Sequence, residues 1–195
     1  MYSKLKVGIL ALQGAVDEHQ NSLLSLGILN KNIFLIKDGK DLSSIDALIL
    51  PGGESTAMKN LLKTKSFQDN FNLYLNSKKP ILGTCAGMIL MAKEYLTNEA
   101  KGLNILDVEV ERNAFGRQVN SCEALIDIKG FDTLYNAVFI RAPRILSIDK
   151  EKVEILAYFE DSIVFVKQDN YFAASFHPEL TQDFRVHELF LNAAL

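Results

Sequence analysis

The sequence predicts an α/β fold: a single domain of three layers, with helices on both faces of a mixed, mainly parallel central sheet. Through the first half, short unbroken apolar runs alternate with stretches of helical periodicity, the pattern of parallel strands buried on both faces. Through the second half, β-forming runs follow one another across tight polar turns, the pattern of antiparallel hairpins. The chain has 195 residues, 48% hydrophobic and 23% charged, long enough to bury about 70% of its unfolded surface without disulfides or metals. Its 11 glycines and 4 prolines fall mostly at element junctions and form no linker, so one domain over residues 1–195 is expected.

In order, residues 6–12 read as a buried strand. Residues 15–26 read as a helix with Val16, Leu23, Leu24 and Leu26 apolar, closed by Gly27. Residues 32–36 and 47–50 are strands, the latter ended by Pro51-Gly52-Gly53. Ser55 can cap a helix through Met58, Leu61 and Leu62, and residues 67–75 are helical. Residues 80–82 form a strand that runs into Gly83-Thr84-Cys85-Ala86-Gly87, and a helix is expected from Met88 to about Tyr95. Strands are then expected at 108–112, 122–128, 137–140, 153–159, 163–166 and 171–176. A last helix covers 183–194, with Phe184, Leu189, Phe190 and Leu191 inward.

Charge and composition exclude several function classes. Lys and Arg total 21 against 24 Asp and Glu, a net charge of −3, which lacks the basic footprint of a nucleic-acid binder. No apolar run exceeds five residues (88–92 and 155–159), too short to span a membrane. The start of the chain lacks a signal-peptide core. Cys85 and Cys122 have neither CxxC spacing nor a histidine at ligand spacing, which excludes a disulfide framework or zinc site. The cytoplasm is the expected compartment.

Three segments carry chemistry. Gly83-Thr84-Cys85-Ala86-Gly87 places a cysteine between a strand and a helix, the context of a nucleophile elbow, whose tight turn demands small neighbours. A helix N-terminus favours its thiolate, and the Ala86 N–H points where an oxyanion would develop. By itself the pentapeptide suits a small buried cysteine in a glycine-rich turn equally well. His177-Pro178-Glu179 follows a strand. Extended backbone at His177, which Pro178 favours, would set Glu179 on the same side to orient the imidazole. Alone this is an ordinary surface turn; with Cys85 it completes nucleophile, base and orienter. Pro51-Gly52-Gly53-Glu54-Ser55-Thr56 ends a parallel strand, where α/β sheets bind ligands, and a freed N–H there can supply a second oxyanion donor. It is not a phosphate loop, since no Gly-Lys-Ser/Thr follows. Arg112 and Arg141 end strands and suit either a carboxylate ligand or a solvated ion pair. His19 and His187 read as surface residues of helices, and Cys122 as structural.

With these segments in view, the chain resembles the class I (triad) glutamine amidotransferases, whose fold is flavodoxin-like. Within them it is similar to the glutaminase subunits that serve pyridoxal 5'-phosphate (vitamin B6) synthesis. Gly-x-Cys-x-Gly with His-Pro-Glu marks the superfamily; the segments 50–56, 111–118 and 139–143 carry the narrower likeness. The resemblance implies Cys85, His177 and Glu179 as the catalytic triad and an oxyanion hole at Gly53 and Ala86, with Gln13 near it. Glutamine contacts are implied at Gly53, Glu54, Ser55, Arg112, Ile140 and Arg141. It further implies no cofactor or metal, a glutamyl thioester, and ammonia passed to a synthase (lyase) subunit in a large hetero-oligomeric ring. An amidotransferase for another acceptor, a stand-alone cysteine hydrolase and a non-catalytic binding subunit are the rival readings.

Overall fold

A computed structural model of the chain describes residues 1–12, 14–53, 64–95, 103–111 and 121–195, and the statements below concern these residues. Twelve strands and four α-helices are named in chain order. The strands are β1 Val7–Leu10, β2 Ile33–Ile36, β3 Ala47–Leu50, β4 Ile81–Thr84, β5 Ala92–Tyr95, β6 Leu106–Glu111, β7 Ser121–Ile126, β8 Tyr135–Ile140, β9 Arg144–Ile148, β10 Glu154–Phe159, β11 Ser162–Gln168 and β12 Tyr171–Ala174. The helices are α1 Val16–Ser25, α2 Lys65–Asn76, α3 Ala86–Met91 and α4 Arg185–Asn192.

Ten strands form one sheet, in the order β2-β1-β3-β4-β12-β11-β9-β6-β5, with β10 on β11; β7 and β8 pair separately. The neighbours from β2 to β12 are all parallel, whereas β12-β11, β11-β9 and β9-β6 are antiparallel. The sheet is thus mixed and divided: a parallel half carries the elbow, and an antiparallel half extends it.

Strand alternation sorts the core into two layers. Val7, Ile9, Ala47, Ile49 and Leu82 face a cluster closed by Leu23 of α1 and by Val186, Phe190 and Leu191 of α4. Leu10, Leu48, Leu50 and Ile81 face a second cluster containing Phe67, Phe71 and Tyr74 of α2 and Met88 of α3. This is the expected three-layer arrangement, and no described helix is long and apolar enough to cross a membrane.

The structure corrects two elements. The helix expected from Met88 to about Tyr95 ends at Met91, and residues 92–95 become β5, parallel to β6. Every α3 residue is buried, so the apolar run has no polar face to mark its end, and pairing with β6 decides. Strand β9, which the sequence did not predict, lies between β6 and β11. The helix expected after Ser55 lies outside the described residues.

Candidate active site

Cys85 occupies the turn between β4 and α3 with φ +50° and ψ −107°, a conformation that costs a non-glycine residue about 1–3 kcal/mol and persists only where surroundings enforce it. The enforcement is visible. The Cys85 N–H donates to the Ala174 carbonyl of β12 at 2.8 Å, and the Cys85 carbonyl accepts from Ile89 at 3.3 Å. Both flanking glycines are sterically required: a Cβ at Gly83 would strike Met91 Sδ, and one at Gly87 would strike the Leu50 carbonyl. Ala86 opens α3, so its N–H is among those a helix leaves without an internal acceptor.

His177 follows β12, anchored by its N–H to the Val138 carbonyl of β8 at 2.8 Å. Its backbone (φ −108°, ψ 87°) leads into a 3-10 turn, Pro178–Leu180. Glu179 therefore reaches the imidazole through a turn rather than through the extended alternation the sequence suggested. The contact is tight: His177 Nδ1 lies 2.7 Å from Glu179 Oε1, and both residues are buried. Cys85 lies beside the same ring, its Cβ and His177 Cε1 both packing on Gly52. Burial opposes charge on the imidazole, but the neighbouring Cys85 and then Glu179 prevail and raise its pKa to about 10. Burial pushes the Glu179 carboxyl upward, and the adjoining His19 and His177 outweigh it, leaving its pKa below the usual carboxylate range.

The glycine turn packs directly on this pair. A Cβ at Gly52 would come 2.7 Å from His177 Cε1 and 3.2 Å from Cys85 Cβ, so only glycine lets the strand end lie flat against nucleophile and base. The Gly52 N–H donates to Thr84 Oγ1 at 3.2 Å, and its carbonyl accepts from Ala15 at 3.3 Å. Gly53 follows, exposed, at φ +154°. Opposite, the Ile140 carbonyl lies 3.8 Å from Cys85 Sγ. Arg141 next to it is exposed and held at φ +44°. The structure thus brings together Cys85, Ala86, His177, Glu179, Gly52 and the Ile140 backbone. Gln13, Glu54, Ser55 and Arg112 lie outside the described residues. Cys122 sits on β7, half-buried against the core; burial and then Glu160 raise its thiol pKa.

One expectation fails. His19 and His187, read as surface residues, are fully buried, and His19 contacts Glu179. The signal was in the helical spacing: Val16, His19 and Leu23 of α1 share one stripe with its C-cap Leu26, and His187 shares the stripe of Phe190 and Leu191 on α4. Leu24, one of the apolar residues of α1, lies off its stripe and is 39% exposed.

A sequence profile of the SNO glutamine amidotransferase family matches residues 9–195. Curated relatives named pyridoxal 5'-phosphate synthase subunit PdxT share this length. The protein from Thermosipho africanus is 43% identical over 96% of this chain and 98% of its own. Those from Pasteurella multocida and Bacillus velezensis are 46% and 48% identical, over 98% and 97% of this chain and 97% and 95% of theirs. A crystal structure of a glutamine amidotransferase superimposes with TM-score 0.89 at 41% identity, covering 97% of this chain and 98% of that one. PurLQS from Thermotoga maritima, at 15% identity and TM-score 0.67 over 95% and 96% of the two chains, shares the fold.

Proposed function

This chain belongs to the SNO glutamine amidotransferase family, and from that premise we propose that it is the glutaminase subunit of a pyridoxal 5'-phosphate synthase, hydrolysing L-glutamine on a Cys85-His177-Glu179 triad. The observation that carries the reading is that Cys85, strained at its elbow, and His177 pack together on Gly52, while His177 Nδ1 lies 2.7 Å from Glu179 Oε1.

His177 holds the thiol proton, and Cys85 Sγ attacks the side-chain amide carbon of glutamine. The oxyanion is met by N–H groups of Ala86 and Gly53. His177 returns the proton to the nitrogen, the C–N bond breaks, and ammonia leaves behind a glutamyl thioester. His177 then deprotonates water, which attacks the thioester; glutamate departs and the thiol is restored. Glu179 keeps the ring in the Nδ1–H tautomer and supports its charge. Glutamine would be contacted by Gly53, Glu54, Ser55, Arg112, Ile140 and Arg141. The ammonia passes to a synthase subunit that makes pyridoxal 5'-phosphate, with glutaminase subunits on the outside of a ring assembly, in the cytoplasm. The single domain of residues 1–195 supplies the hydrolytic half only.

The test is ammonia release from glutamine by the chain alone and with the synthase subunit. Release that rises with the partner and vanishes in Cys85→Ala is expected. Full release by the chain alone would favour an independent hydrolase, and undiminished release by Cys85→Ala would overturn the triad.

A further inference from the structure

The side of Glu179 away from His177 is closed by two histidines that the hydrolytic steps do not use. His19 of α1 and His187 of α4 have no exposure, and their rings meet edge-on with centroids 5.2 Å apart. His19 Nε2 lies 3.4 Å from Glu179 Oε2 and 3.2 Å from Thr84 Oγ1, while its Nδ1 lies 3.0 Å from His187 Nε2. Among the described residues, neither Glu179 Oε2 nor His187 Nδ1 has a hydrogen-bond partner, and His19 Nε2 at 3.4 Å is the ring nitrogen that faces Glu179 Oε2.

Only one proton arrangement suits these contacts. A carboxylate accepts and cannot donate, so the ring nitrogen facing it must carry hydrogen. With hydrogen on Nε2, neutral His19 offers a lone pair at Nδ1, and His187 must donate to it from Nε2. His187 Nδ1 is then a bare lone pair, and no N–H is stranded. The opposite arrangement would press a lone pair against Glu179 and bury an N–H with no acceptor, which folded proteins avoid. Both rings are neutral at pH 7. Burial pushes the His187 pKa down to about 3, and burial likewise outweighs the pull of Glu179 on His19. The ionisable groups facing His19 are His187 from α4, Glu179 and His177 from the turn after β12, and Glu18 on its own helix.

We propose that His19 is a positioning residue of glutamine hydrolysis. Its Nε2–H, set in that tautomer by His187, bonds Thr84 Oγ1 and backs the second oxygen of Glu179 at 3.4 Å. Through Thr84, which also accepts from the Gly52 N–H, it ties the triad's carboxylate to the glycine turn beside the nucleophile. The proposal rests on the triad reading above.

The experiment compares His19→Leu, His19→Gln and His187→Leu with the unaltered chain, in the mixture that supports its turnover. Three quantities are read: kcat and KM for glutamine, the pH profile of Cys85 alkylation by iodoacetamide, and the unfolding temperature. His19→Leu should lower kcat about 10- to 100-fold, the range for small misplacements of catalytic groups, with KM within about twofold, and should shift the alkylation profile. His19→Gln, whose amide N–H can occupy the place of Nε2, should recover most of kcat. His187→Leu should lower kcat less and in the same sense, which keeps the proposal testable if His19→Leu does not fold. Unchanged kcat and alkylation with only a lower unfolding temperature would overturn it, as would a Gln variant as poor as Leu. Cys85→Ala separates the two layers. If it stays active, the triad reading fails. If it is dead while the His19 and His187 variants retain kcat, only the positioning role fails.

Discussion

Glu179 has a front and a back, and the imidazoles on its two sides behave in opposite ways. In front, His177 lies 2.7 Å from Oε1, and the neighbouring Cys85 and Glu179 raise its pKa to about 10. Behind, His19 lies 3.4 Å from Oε2, its other ring nitrogen meets a neutral histidine, and its pKa is lowered. The carboxylate is common to both, so proximity to an acid does not by itself make a histidine cationic. What decides is the number and closeness of partners set against complete burial, where desolvation prevails. The site is divided accordingly: a charged front that moves protons and a neutral back that fixes geometry.

Each way of breaking that division has its own expected size. The largest effect should follow Glu179→Gln, which removes the shared charge from both sides. We expect kcat to fall roughly 1,000-fold or more, as when a buried triad carboxylate becomes an amide, and the His177 limb of the pH–rate profile to move to lower pH. A loss under tenfold would show that Glu179 does not support the His177 charge.

Gly52→Ala disturbs the front alone, because its Cβ would meet His177 Cε1 at 2.7 Å and Cys85 Cβ at 3.2 Å. Displacing the ring should cost about 100-fold in kcat while the unfolding temperature changes little. Full activity would mean that His177 has room to yield.

The smallest effect lies in stability against pH, and the two sides should act at opposite ends. The His177 pKa is raised above 6.5, so its contribution is complete below pH 6.5 and is lost as pH rises toward about 10. The His187 pKa is lowered to about 3, so its contribution is present above pH 6.5 and drains as pH falls toward 3. Thermal unfolding from pH 7 to 4 should therefore show a shallower acid limb in His187→Leu than in the unaltered chain. Equal limbs would contradict the neutral, buried back.

The same division marks what the sequence could disclose. The front was legible because its constraints are local. An elbow needs small residues at fixed spacing, which 83–87 display, and His177 and Glu179 are neighbours in the chain. The parallel half of the sheet was legible for a similar reason, its apolar runs being bounded by turns. The back joins α1 to α4, 168 residues apart, and polar neighbours drew attention away from the apolar stripe on which each histidine lies. Likewise β5 and β9 owe their form to distant strands, and no local pattern announces them.

The central claim is that Cys85 carries the glutamyl group, and acid-quenched mass spectrometry of the turning-over protein tests it most directly. A single glutamyl adduct on the peptide containing Cys85, absent from Cys85→Ala, is the predicted result. Continued turnover with no adduct, or an adduct on Cys122, would contradict the account.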